Sequence, residues 1–297
     1  MKHYLKKLED TIRALWVQKA LCDYGGEAFT YGDIAAVIEQ FRFFLDETGI
    51  AKGEKIALCG RNSARWAMTF WGINANGRVA VPLLKAAIDI RSGRLLWHAD
   101  VNVAEAWENR EAAFRLRFPE GMLPEQLGIP GHDMDEVAII NYTSGTTGNP
   151  KGVMLTYAAL SDTDEFSNSH FPNHPGETIV SMLPLAHMYG LAIEFIHPNI
   201  DGVTVYFLGK TPSPTTLLKA MQQVRPYMVV TVPLVMEKVY ADIPEGMDAE
   251  ARFSVPETIR AAANKALPTY SQIAKVELVE KPFEKTPKMS IKRYLYH

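Results

Sequence analysis

The stretch Asn141-Tyr-Thr-Ser-Gly-Thr-Thr-Gly-Asn-Pro-Lys151-Gly152 decides how the rest of the chain reads. An apolar run, Val137-Ala-Ile-Ile140, precedes it and reads as a buried strand; a second run, Val153-Met-Leu155, follows it. Gly145 and Gly148 can take positive φ at no Cβ cost, so the turn can curl its N–H groups toward one point. Thr143, Ser144, Thr146 and Thr147 add hydroxyl donors, and Lys151 adds a mobile cation. A concave array of donors with one countercharge is what a polyphosphate requires. The common phosphate loop has other spacing and opens directly into a helix, whereas Gly152 and a strand follow Lys151 here. The plain alternative is a solvated Ser/Thr/Gly turn.

Composition narrows the classes. With 297 residues, 47% of them hydrophobic, the chain can bury one large or two smaller cores. A net charge of −3 gives no basic face for nucleic acid. Two cysteines, Cys22 and Cys59, support neither a disulfide framework nor a metal cluster, which suits a reducing compartment. Lys2, Lys6, Lys7, Glu9, Asp10 and Arg13 interrupt the first residues, so no signal-peptide core is expected. The longest apolar run, Tyr227 to Met236, is broken by Pro233 and is too short to span a bilayer. The expectation is a soluble cytoplasmic protein with at most peripheral membrane contact; an oligomer is compatible.

Periodicity predicts an α/β fold. Leu5, Leu8, Ile12 and Leu15 place a helix within residues 3–22, and Thr30-Tyr-Gly-Asp33 reads as a capping box for a helix ending at Gly49. A strand over 55–60, a helix capped at Asn62 or Ser63 and a strand over 79–82 make a βαβ unit, hence a parallel sheet flanked by helices. Trp66, Phe70 and Trp71 read as core. Residues 85–114 show no clear period and read as irregular or poorly helical, with a Pro/Gly-rich loop to 131. Beyond the central stretch come a helix over 157–168, a strand over 178–183, an apolar helix from Leu191 to His197, and a strand over 203–208. A helix from Pro214, a strand over 227–232 and a helix to Tyr240 follow. Composition then shifts, giving residues 1–240 as one domain, 241–256 as a linker and 257–297 as a small α+β remnant.

The residues from Tyr142 to Gly152 resemble the signature loop of the adenylate-forming enzymes, which include acyl-CoA synthetases, luciferases and peptide-synthetase adenylation domains. Leu183-Pro-Leu-Ala-His-Met-Tyr-Gly190 is similar to that family's second signature, whose His or aromatic position lines the acyl pocket. Residues 230–240 resemble the long-chain fatty-acid branch. Residues 262–270 and 283–293 resemble the end of the family's C-terminal domain, which carries a mobile lysine; Ser290 stands at that place, flanked by Lys288 and Lys292. The resemblance covers most of residues 28–83, 119–240 and 257–297. The family's segments with a magnesium-binding Glu and a ribose-binding Asp do not occur between Tyr240 and Pro256.

The resemblance implies an adenylate-forming N-terminal domain and a long-chain fatty-acid–CoA ligase using ATP, Mg²⁺ and coenzyme A. Thr143, Ser144, Gly145, Thr146, Thr147, Gly148 and Lys151 would hold the nucleotide, with Thr143 at the metal. His187, Tyr189 and Gly190 would face the acyl substrate. Lys151, His187, Lys288 and Lys292 would serve catalysis. Another adenylate-forming ligase, or a non-catalytic remnant that binds nucleotide, are the other readings.

Overall fold

Helix α1 (Tyr4–Ala14) buries Tyr4, Leu5, Leu8 and Ile12 on one side, the i, i+4 spacing that defines an inward stripe. The computed structural model describes residues 2–83, 103–143, 151–209 and 214–231. The chain divides into two compact units, residues 1–236 and 237–297, and every described residue belongs to the first. The expected helices and strand after residue 231, and the expected linker, lie outside the described residues.

After α1 the chain does not stay helical to residue 22. Lys19–Asp23 is strand β1, paired antiparallel to β2 (Ala28–Thr30) and parallel to β8 (Thr204–Phe207). Ala20, Leu21 and Cys22 are buried in that pairing. An apolar run of this length fits helix or strand equally, and the two neighbouring strands decide it. The capping box is present: the Thr30 hydroxyl accepts from the Asp33 N–H at 3.2 Å, and the Asp33 carboxylate accepts from the Thr30 N–H at 2.7 Å. It starts α2 (Tyr31–Glu47), and Gly49, with φ 67°, turns the chain out of it.

The βαβ unit is formed by β3 (Lys55–Cys59), α3 (Ala64–Asn74) and β4 (Val79–Leu83), the two strands parallel and in register from Lys55↔Val79 to Cys59↔Leu83. Ser63 caps α3 by accepting from the Trp66 N–H at 3.1 Å. Trp66, Phe70 and Trp71 are core: Phe70 and Trp71 are fully buried and both meet the ring of Phe195. The Trp71 indole N–H donates to the Asn199 side chain at 2.9 Å, and the buried Asn74 amide donates to the Ala138 carbonyl at 3.0 Å. The Ala64 N–H at the start of α3 donates to the Asp23 carboxylate of β1 at 2.9 Å, so α3 ties elements of two sheets together.

Those sheets have strand orders β2-β1-β8-β7 and β3-β4-β5-β6, with β5 (Val137–Thr143), β6 (Lys151–Thr156) and β7 (Thr178–Ser181). Pairing is parallel except for β1–β2 and β5–β6. The fold is α/β, mainly parallel sheets flanked by helices. Helix α4 (Val103–Arg117) lies in the stretch expected to be irregular or poorly helical, and is regular from Val103 on. Charged side chains hold it, so no apolar period shows. Arg110, 6% exposed, pairs with Glu47 at 2.7 Å, and Arg117 lies over the Phe43 ring at 5.6 Å. Helix α5 (Tyr157–His170) begins at the Thr156 cap.

The expected apolar helix at Leu191 is a π-helical turn, Gly190–Ile196, in which the His197 N–H donates to the Ala192 carbonyl, leading into α6 (His197–Ile200). Helix α7 (Pro214–Val224) matches expectation. Of the strand expected over 227–232, the described residues 227–231 show one bridge, Met228 to Ile179 on the sheet edge, with Tyr227 and Val229 exposed. Among the described residues no helix is long and apolar enough to cross a membrane.

Candidate active site

Strands β5 and β6 pair antiparallel, and their last pair is Thr143↔Lys151, so the described ends of the first signature lie side by side. Ser144, Gly145, Thr146, Thr147 and Gly148 lie outside the described residues, as do Lys288 and Lys292. Lys151 is exposed at the head of β6. Its neighbour Gly152 has a structural reason: a Cβ there would stand 3.0 Å from Ile140 Cγ2.

The second signature leaves the end of β7 and turns over Pro184–His187, closed by the His187 N–H donating to the Pro184 carbonyl at 3.0 Å. His187 and Tyr189 are exposed, which leaves both rings open to a ligand. Gly190 is buried, and a Cβ on it would stand 2.8 Å from the Pro184 carbonyl oxygen and 3.1 Å from Leu183 Cβ. The geometry gives this glycine a packing role. Gly190→Ala is expected to displace the Pro184 carbonyl and lower unfolding stability by roughly 1–3 kcal/mol. Thermal unfolding checks this, and an unshifted midpoint contradicts it.

Two asparagines bind the signatures together. Asn141, buried on β5, donates from its side-chain amide to the Ala186 carbonyl at 2.8 Å. Asn62, just past β3, donates to the Leu183 carbonyl at 2.6 Å and accepts from the Leu185 N–H at 3.1 Å. The carboxyl ends of β3, β5 and β7, drawn from both sheets, thus meet at one turn. A crevice at the carboxyl ends of parallel strands is where open α/β sheets place ligands. A cavity of about 160 Å³ opens beside it, bounded by Arg61, Asn62, Ser181, Met182, Pro184 and Gly209.

Behind the turn lies Glu194, fully buried. Burial pushes its carboxyl up to about 8, against the opposing pull of hydrogen bonds from the Leu183 N–H, the Met182 N–H and the Ser181 hydroxyl. Sequence reasoning missed Asn141, Asn62 and Glu194 as site residues. For Glu194 a signal existed, a lone acid inside the apolar run Leu191-Ala-Ile-Glu-Phe-Ile196.

Among the described residues, Asp164, His197 and Asp201 offer ligand atoms within 4.8 Å of one another. Lys7 ion-pairs with both carboxylates, with Asp164 at 3.0 Å, and so occupies the role a metal cation would take. This cluster sits on α1, α5 and α6, and we read it as structural.

The site thus rests on an α/β scaffold whose β5–β6 hairpin is tied, through Asn141, to a His-bearing turn at the strand ends. Residues 11–276 match the AMP-binding enzyme family, and the chain belongs to it. Long chain acyl-CoA synthetase 5 from Arabidopsis thaliana is 25% identical over 267 residues, 75% of this chain and 40% of that protein. Chloroplastic long-chain-fatty-acid--[acyl-carrier-protein] ligase AEE15 from the same plant is 28% identical over 269 residues, covering 75% of this chain and 36% of that protein. The chain therefore spans about two fifths of the length of these curated relatives. In fold it is similar to the N-terminal domain of FACL13 from Mycobacterium tuberculosis, with a TM-score of 0.64, 20% identity, and coverage of 84% of this chain and 67% of that one. It is also similar to o-succinylbenzoate coenzyme A synthetase from Bacillus subtilis in complex with AMP: TM-score 0.63, 19% identity, 80% and 65% coverage.

Proposed function

We propose that the protein activates a carboxylic acid with ATP and passes the acyl group to a thiol, with a long-chain fatty acid as the acid and coenzyme A as the thiol. The observation that carries this reading is the Asn141 bond to the Ala186 carbonyl, which sets the hairpin of the first signature against the turn of the second. On this reading an acyl carboxylate at His187 would meet a nucleotide held by the hairpin. A carboxylate oxygen would attack the α-phosphorus and pyrophosphate would leave with the electron pair. The thiolate would then attack the acyl carbonyl and expel AMP. Lys151 would hold the outgoing phosphates and offset the repulsion between two approaching anions. Magnesium, which ATP brings with it, would neutralise phosphate charge, and the hydroxyl of Thr143 is of the oxygen-donor type it takes.

The family match supports the adenylate-forming step, and the printed names of the Arabidopsis relatives support a long-chain acid and a thiol acceptor. The absent Glu and Asp segments and Ser290 favour the second reading, a nucleotide binder without turnover. Exchange of labelled pyrophosphate into ATP, run with long-chain, short-chain and aromatic acids, separates the two. Exchange that depends on long-chain acids is the expected result. ATP binding without exchange for any acid establishes the second reading instead.

A further inference from the structure

Glu194 lies in the π-helical turn Gly190–Ile196, surrounded by Leu191, Phe195 and Ile196, all buried. One of its oxygens, Oε2, accepts from three donors: the Ser181 hydroxyl at 3.0 Å, the Met182 N–H at 3.0 Å and the Leu183 N–H at 2.9 Å. The other, Oε1, is buried without a hydrogen-bond partner. Ser181 is the last residue of β7, and Met182 and Leu183 open the turn that carries His187. Apolar packing alone calls for no acid here, and a half-satisfied carboxyl in such a place is costly. Its three bonds all converge on the root of one turn, and that root is where the direction of the turn is set.

We propose that Glu194 is a positioning residue of the reaction site. By gathering the Ser181 hydroxyl and the N–H groups of Met182 and Leu183 onto one oxygen, it fixes the course of residues 183–187 and so the place of His187 against the acyl carboxylate. Asn62 and Asn141 hold the far side of the same turn through Leu183, Leu185 and Ala186. The inference rests on the function proposed above for what the turn does, and on the hydrogen bonds alone for what Glu194 does to the turn. Glutamine is its close mimic, because the amide oxygen can accept the same three bonds.

The test compares the full chain with Glu194→Gln, Glu194→Ala and Ser181→Ala in two measurements. Hydrogen–deuterium exchange of residues 181–189 reads the turn directly. Acid-dependent pyrophosphate exchange gives apparent KM values for the acid and for ATP separately. Glu194→Ala is expected to speed amide exchange of residues 181–189 about 10-fold, with α2 unchanged. It is expected to raise the KM for the acid about 10-fold or more while the KM for ATP moves less than about twofold. Glu194→Gln is expected to stay within about threefold of the parent in both. If Glu194→Ala does not fold, Ser181→Ala removes a single donor and is expected to raise the acid KM about threefold to fivefold with the ATP KM fixed. A Glu194→Ala protein that melts earlier yet keeps parental amide protection and acid KM overturns the proposal. So does Glu194→Gln matching Glu194→Ala in both measurements, and so does an unchanged Ser181→Ala. Should the parent exchange pyrophosphate with no acid at all, the proposed function fails, and amide exchange still decides the role of Glu194.

Discussion

Lys151→Ala is expected to slow acid-dependent exchange of pyrophosphate into ATP by about 100-fold or more while leaving the fold intact. The hairpin explains both halves of that expectation. Lys151 opens β6 and pairs in register with Thr143, so its backbone is fixed by the strand ladder whatever its side chain. The side chain is exposed, which makes truncation cheap for stability. Lys151 follows, in sequence, a run rich in hydroxyl and N–H donors, and the charge that develops on departing pyrophosphate is what its ammonium would offset. One charge-assisted hydrogen bond is worth about 1.5–3 kcal/mol, and a preorganised one that tightens in the transition state is worth more. The parent and Lys151→Ala should show the same thermal midpoint, a modest change in ATP affinity and the large loss in exchange rate. Equal exchange rates at saturating ATP would remove Lys151 from the reaction. A loss of ATP binding with no exchange in the parent would mark the hairpin as a binding element only.

Much of the scaffold could be read from residue order, for reasons that are local. Thr30 and Asp33 complete their capping box within one helical turn, and Ser63 caps α3 the same way, so three or four residues suffice to announce a helix. The spacing of strand, helix and strand over 55–83 left a parallel pair as the simplest connection, and β3 and β4 pair that way. What escaped depends on contacts far apart in sequence. Lys19–Asp23 is a strand because β2 and β8 flank it, and β8 lies well over a hundred residues downstream. Helix α4 shows no apolar stripe because Arg110 and Arg117 dock it through charge and over an aromatic ring.

The candidate site divides on the same line. Its two signatures were legible because each is a contiguous run with a chemical purpose. The links between them were not. Asn141 is the first residue of the quoted stretch, yet its side chain serves the Ala186 carbonyl 45 positions later. Asn62 and Ser63 both fit a helix cap by residue type; Ser63 caps the helix, and Asn62 clamps residues 183–185. A side chain that bonds backbone groups leaves no complementary residue type at the other end for sequence reasoning to find. The carbonyl of Ala186 could belong to any residue.

Removing the ammonium of Lys7 is expected to cost the fold about 3 kcal/mol, measured as Lys7→Met in urea unfolding followed by tryptophan fluorescence. Lys7, on α1, reaches Asp164 at 3.0 Å and Asp201 beside α6, and the side chains of those acids are 10% and 5% exposed. His197 Nδ1 lies 2.7 Å from Asp164 and 3.3 Å from Asp201, so a single ring N–H serves both carboxylates. Asn168 and Asn173 donate to one oxygen of each. Without Lys7 two carboxylates face each other with little water to screen them. Methionine keeps the length and apolar stem of lysine, so the loss reports charge more than packing. The Lys7 side chain is 25% exposed, which lets water reach the site and places the expectation at the low end of what breaking a buried pair costs. A control exists on the same helix. Asp10 pairs with Lys2 at 2.6 Å, but with side chains 46% and 57% exposed, and Lys2→Met is expected to cost less than about 1 kcal/mol. If Lys7→Met proves as mild as Lys2→Met, the cluster is not holding α1 against α5 and α6. If it is costly, adding Asp164→Asn should return part of the loss, because the second change removes the very charge that the first left without its partner.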